Sequence, residues 1–195
     1  MKPRLEFFYD YVSVYSYLAN HVVSQLGNDV EVAYRPMFLG AVMQATGNRP
    51  PATVAAKGSY LIKDVYRWVD HYDIPFKFNA IFPQKTLGAL RLAIAAQRRG
   101  AFDRVHPLLF EAAFVTDRDL GDPAVLADIV NAAGLDVEEL QADMSDQSIK
   151  DELKANTDEA VERGAFGAPT FFVGKQMFFG NDRFDFIRKA LKNPA

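Results

Sequence analysis

Cysteine is missing altogether from the 195 residues, which excludes disulfides, thiolate metal sites and any thiol chemistry carried by the chain itself. A sulfur nucleophile would have to be borrowed from a ligand. Histidine is scarce: His21, His71 and His106 fall in different segments without metal-ligand spacing, so structural or surface roles are expected and no metal site. Lys and Arg are scattered and the net charge is −3, which leaves no electrostatic footprint for nucleic acid. Apolar runs fall short of the roughly 20 residues that a membrane span needs. The opening Met-Lys-Pro-Arg-Leu leads into a strand pattern rather than a signal-peptide core. A cytoplasmic globular protein with no membrane partner is the expectation.

What is present is enough apolar material for one large domain, or for a core carrying an inserted subdomain. Residues 4 to 10 read as an aromatic-rich strand and residues 29 to 35 alternate with period two. Between them Tyr17, Leu18, Val22 and Leu26 recur at helical spacing, with Gly27-Asn28 as the stop. This is a βαβ unit, expected to be a right-handed parallel crossover. The stretch from about 40 to 160 reads as helical nearly throughout, with helices over 60–72, 87–99, 101–114, 123–133, 137–144 and 149–163. Gly100, Gly134 and Gly164 are plausible helix ends. Thr170 to Val173 and Gln176 to Phe179 form a hairpin pattern around Gly174-Lys175, and a last helix runs from about Asp182 to Leu191. An α/β core interrupted by a helical insertion gives every strand a partner and every helix a face to cover.

Four fragments could carry chemistry. Ser13 lies at the junction of the first strand and first helix, where it is either an N-cap or part of an anion site at the helix start. Ser16 completes Ser-x-x-Ser, the frame of Cys-x-x-Cys in redox proteins. Gly164 to Gly174 places Pro169 at the start of a strand. A trans bond there merely opens the strand, whereas a cis Ala168-Pro169 bond would present the Ala168 backbone to an extended peptide ligand. In Gly180-Asn181-Asp182-Arg183, Asn181 or Asp182 either caps the final helix or holds a ligand bearing both an α-carboxylate and an α-ammonium group. Gly47-Asn48-Arg49-Pro50-Pro51 is either an exposed loop or, through Asn48, a donor and acceptor for a peptide-like ligand.

Taken in chain order, the Ser13 junction, Gly-Asn-x-Pro-Pro, Phe-Gly-Ala-Pro-Thr and Phe-Gly-Asn-Asp-Arg resemble 2-hydroxychromene-2-carboxylate isomerases and kappa-class glutathione transferases. The similarity runs over essentially the whole chain and includes Lys57-Gly-Ser-Tyr, Asp64-Val-Tyr-Arg-Trp and Tyr72-Asp-Ile-Pro. The resemblance implies a thioredoxin-like core of the DsbA type, about 1–39 and 160–195, with a large helical insertion at about 40–159. It also implies a homodimer and bound glutathione. Carried over by position, Ser13 would hydrogen-bond the glutathione sulfur and Asn48 would contact the tripeptide. Ala168 would pair with the cysteinyl backbone beside a cis Pro169, and Asn181 with Asp182 would hold the γ-glutamyl end.

The implied activity is glutathione-dependent isomerisation of a 2-hydroxychromene-2-carboxylate to a trans-o-hydroxybenzylidenepyruvate in the breakdown of aromatic compounds. A transferase or peroxidase that consumes the thiol, and a non-catalytic glutathione-binding module, are the alternatives. A disulfide oxidoreductase would require a cysteine. Two departures stand out: Val14 follows Ser13 where the family commonly has proline, and Met43 lies where naphthalene-pathway enzymes use a lysine for the substrate carboxylate. Phe38, Met43, Tyr60, Trp68 and Phe82 offer an apolar supply compatible with an aromatic substrate.

Overall fold

A computed structural model describes residues 2–192. The first strand, β1 (Arg4–Tyr9), is buried on both faces over Phe7, Phe8 and Tyr9, the mark of a central strand covered from two sides. After α1 (Val14–Ser24) the chain enters β2 (Glu31–Pro36), which pairs parallel with β1 from Arg4 against Glu31 to Tyr9 against Pro36. The hairpin of β3 (Thr170–Val173) and β4 (Gln176–Phe179) adds antiparallel to the other side of β1, giving the order β2-β1-β3-β4. Gly174 makes the hairpin possible because its φ of +57° is one a side chain rarely adopts. The expected βαβ unit and C-terminal hairpin are both present.

Between the two halves run α2 (Leu39–Thr46), α3 (Ala55–Tyr72), α4 (Leu87–Arg98), α5 (Phe102–Phe114), α6 (Pro123–Ala132), α7 (Val137–Ser145) and α8 (Gln147–Glu162); α9 (Phe184–Lys192) follows the hairpin. On one sheet face Phe7 stacks on Phe171 at 4.9 Å, within a core that includes Val22 of α1, Phe110 of α5 and Ile187 of α9. On the other, Phe8 meets Phe172 edge-on at 5.5 Å among Met37, Val42 of α2 and Ala160 of α8. Each such side chain contributes about 1.5–3 kcal/mol by leaving water. Arg163 closes the second face, with its guanidinium 3.7 Å from the Phe172 ring centroid and 2.9 Å from a Glu6 carboxylate oxygen.

Two helices differ from the sequence reading. The eight-residue α2 is too short and too apolar to show periodicity, and its start is held from outside: Leu39 N donates to the Asp10 carboxylate at 2.9 Å and Phe38 N to the Thr157 hydroxyl at 3.0 Å. Helix α3 begins at Ala55 rather than Tyr60, because Ala55-Ala56-Lys57 are good helix formers ahead of the first aromatic.

A buried polar chain crosses the first core. The Tyr11 hydroxyl lies 2.7 Å from His106 Nδ1 and 3.4 Å from the Tyr9 hydroxyl, while His106 Nε2 lies 2.9 Å from Asn20 Oδ1. The amide oxygen only accepts, so Nε2 carries the proton and Nδ1 accepts from Tyr11. Burial holds the His106 pKa down to about 3, so the ring is neutral in the fold and serves a structural role, as expected for this residue.

In the unfolded chain His106 takes a proton below about pH 6.5, whereas the folded ring refuses it down to about pH 3, so stability is present above pH 6.5 and lost as pH falls. Burial raises the Asp10 pKa, which works in the opposite sense, so the test is a difference between variants. Between pH 6 and 5, urea unfolding of the wild type is expected to lose up to about 1.4 kcal/mol per pH unit more than His106→Gln.

Candidate active site

The Ser13 junction is built by the end of β1. Asp10, fully buried, accepts from Val12 N at 3.1 Å, Leu39 N at 2.9 Å and the Thr86 hydroxyl at 2.6 Å, and its carbonyl accepts from Ser13 N at 3.0 Å. One carboxylate thus ties together the turn before α1, the start of α2 and the residue preceding α4. Ser13 adopts an extended N-cap conformation and its Oγ accepts from Ser16 N at 3.1 Å, so the capping reading is correct. The same hydroxyl also reaches across the fold, donating to the Ala168 carbonyl at 3.1 Å.

The Ala168-Pro169 peptide bond is cis, and the segment around it gathers the other fragments. Asn48 Nδ2 donates to the Phe166 carbonyl at 2.7 Å, bringing the 47–51 loop to the segment. Gly180 N donates to the Pro169 carbonyl at 3.0 Å, bringing Asn181 and Asp182 with it. Two glycines make the approach possible. A Cβ on Gly167 would sit 2.8 Å from the Phe179 ring, and Gly180, at φ +100°, passes so close to Asp182 that a Cβ would lie 2.9 Å from its carboxylate. Ser13, Asn48, Ala168, Asn181 and Asp182 therefore converge on one short loop.

Asn181 and Asp182 do not cap α9. Phe186 N and Ile187 N both donate to the Arg183 carbonyl, so the helix starts after them. Asn181 is 4% exposed, and its Nδ2 has no partner among the described residues. A buried amide donor without an acceptor costs about 1–3 kcal/mol, which a ligand acceptor would recover. Asp182 pairs with Arg183 at the surface and acts electrostatically on the half-buried Tyr15 and Tyr72.

Sequence reasoning missed Asp10 and a second carboxylate, Asp64 of α3, which accepts from the Tyr15 hydroxyl at 2.9 Å and the Tyr60 hydroxyl at 3.2 Å. Burial, with Asp64 adding to it, raises the Tyr15 pKa, so Tyr15 stays protonated beside the first turn of α1. The only signal for Asp10 was an acidic residue ending a strand buried on both faces. Of the aromatic supply, Phe38, Tyr60 and Phe82 are exposed, Met43 is half-buried on α2, and Trp68 packs with His71 and Tyr72 along α3. An apolar cavity of about 230 Å³ between α4, α6 and α7 shares no residue with the Ser13 cluster.

Chemically, Ser13 has a donor and no base: its partners are a backbone N–H and a carbonyl, and the buried His106 is occupied by Tyr11 and Asn20. Such a hydroxyl stabilises an anion placed at the helix start better than it attacks a substrate. Among the described residues no cluster of His, Asp and Glu could hold a metal, and no helix is long and apolar enough to cross a membrane.

The family profile of the DSBA-like thioredoxin domain matches residues 4–192. A 2-hydroxychromene-2-carboxylate isomerase from Pseudomonas sp. (strain C18) is 30% identical over 192 residues, covering 96% of this chain and 89% of that protein. Glutathione S-transferase kappa 1 of Caenorhabditis elegans is 29% identical over 208 residues, covering 98% of this chain and 92% of that protein. A solved structure of a 2-hydroxychromene-2-carboxylate isomerase superposes with a TM-score of 0.85 at 27% identity, covering 97% of this chain and 94% of that one.

Removing the Ser13 cap leaves Ser16 N without its side-chain acceptor and unties α1 from the loop at Ala168. Ser13→Ala is expected to lose about 1–2 kcal/mol of stability in urea unfolding without ligand, with Ser13→Thr retaining most of it.

Proposed function

Because the chain belongs to the DSBA-like thioredoxin family and is similar over nearly its full length to isomerases and kappa-class transferases, we propose that it is a glutathione-dependent isomerase. Its substrate would be a 2-hydroxychromene-2-carboxylate, converted to the trans-o-hydroxybenzylidenepyruvate form in aromatic catabolism. The observation that carries the reading is the convergence of a Ser13 hydroxyl, the cis Ala168-Pro169 backbone and an unpartnered buried Asn181 amide in a chain without cysteine.

The residues fit a γ-glutamyl tripeptide. Ala168 offers a half-exposed backbone edge to the central residue, Asn181 an unused donor, and Asp182 a carboxylate for an ammonium group. Asn48 lies beside the same loop, tied to Phe166. When bound, glutathione would supply a thiolate for reversible addition across a conjugated double bond, which lets the single bond rotate before elimination. Ser13 and the start of α1 hold that sulfur as an anion, lowering a thiol pKa that is ordinarily about 8.5. Residues 39–48 contain no lysine, and Met43 cannot supply that charge, so the substrate carboxylate must be met elsewhere or by water.

The half-buried, apolar Met43 favours a second reading, transfer of glutathione to an uncharged electrophile, as the kappa-class similarity permits. Stoichiometry separates the two: isomerisation leaves glutathione undiminished, and transfer depletes it. A homodimer in the cytoplasm belongs to the same proposal, checked by sedimentation at twice the chain mass.

Ser13→Ala is expected to lower turnover of the chromene carboxylate by about 100-fold or more while glutathione still binds in calorimetry. Asn181→Ala should instead weaken glutathione binding. Turnover that proceeds unchanged without glutathione would sink the proposal.

A further inference from the structure

We infer that the Ala168 carbonyl locks Ser13, so that the hydroxyl turns to a bound sulfur only when the ligand donates a backbone N–H to that carbonyl in its place. Activation is then confined to thiols carrying an adjacent amide. This rests on the reading that the site binds glutathione, and it adds a specificity-determining role for a backbone group.

A serine hydroxyl has one proton. Ser13 uses it on Ala168 O at 3.1 Å while its oxygen accepts from Ser16 N at 3.1 Å, so no proton is left over for a sulfur. The carbonyls around Ala168 are all served by other donors. Phe166 O takes the Asn48 amide at 2.7 Å, Gly167 O the fully buried Thr170 hydroxyl at 2.8 Å, and Pro169 O the Gly180 N–H at 3.0 Å. Only at Ala168 is the donor the hydroxyl of the proposed catalytic residue, and Ala168, unlike Gly167 and Pro169 beside it, is not buried.

Rotation about the Ser13 Cβ–Oγ bond would carry the proton toward a sulfur at the start of α1 while keeping the Ser16 N contact. It would also strip Ala168 O of its donor. A thiol without a neighbouring amide offers that carbonyl no donor in exchange, so the proton stays on Ala168 O. A cysteinyl residue brings a replacement, one donor is exchanged for another, and Ser13 is released to the sulfur, whose own proton leaves to water. Recognition of the ligand backbone and ionisation of its thiol are thus one event.

The test compares reduced glutathione with its ester analogue, in which oxygen replaces the N–H between the γ-glutamyl and cysteinyl residues. Because the chain has no cysteine, ultraviolet thiolate absorbance below the tyrosine range reports the ligand alone. Bound glutathione is expected to ionise at a pKa at least about one unit below the ordinary value near 8.5, with the bound ester analogue unshifted to within roughly half a unit. Ser13→Ala should bring glutathione to the ester's behaviour. Equal shifts for both ligands on the wild type overturn the lock while leaving glutathione binding intact. No binding of glutathione at millimolar concentration overturns both. If the ester analogue does not bind, a crystal structure with glutathione decides. The cysteinyl N on Ala168 O together with the sulfur within hydrogen-bond reach of Ser13 Oγ supports the lock, and any other arrangement refutes it.

Discussion

The hydrogen bond from Ser13 to Ala168 is the constraint around which the site is organised. It joins the start of α1 to the loop before β3 across 155 residues of sequence, and it brings a helix N-terminus against the cis Ala168-Pro169 segment. The rest of the fold supplies the conditions under which that contact can form. β1 must be central, so that α1 leaves one end of the sheet while β3 lies beside it, and the residues after β4 must return to the Pro169 carbonyl.

Two buried polar groups hold the junction in register. Asp10 collects donors from three segments, and burial alone would drive its carboxylate toward the neutral form; the hydrogen bonds from Thr86, Leu39 and Val12 oppose that shift. Behind it, the Tyr9, Tyr11, His106 and Asn20 chain gives its buried hydroxyls and ring nitrogens partners, whereas the buried Ser16 hydroxyl of α1 has none among the described residues. Satisfied networks of this kind fix one arrangement rather than several.

The chemistry follows from what surrounds Ser13. With neither a base nor a cysteine nearby, the hydroxyl can organise charge without generating a nucleophile, so a thiol brought by a ligand is the natural complement. The Asn181 amide, whose Nδ2 has no partner among the described residues, points the same way, since a bound peptide can supply the acceptor.

The sequence by itself determined the local pieces. Alternation and helical spacing marked the strands and most helices, and Gly174 and the glycines ending helices stand at positive φ because side chains avoid it. Motif order marked Ser13, Asn48, Ala168, Asn181 and Asp182 as one site. Only tertiary structure decided how each is used. Asn48 donates to Phe166, Asn181 is buried with its Nδ2 unpartnered among the described residues rather than capping α9, and Ser13 serves as cap and cross-fold donor together. Helix α2 and the role of Asp10 were illegible for the same physical reason. Short-range pattern records what a segment prefers, whereas a helix start held by a carboxylate 29 residues away is set by packing that no local window contains.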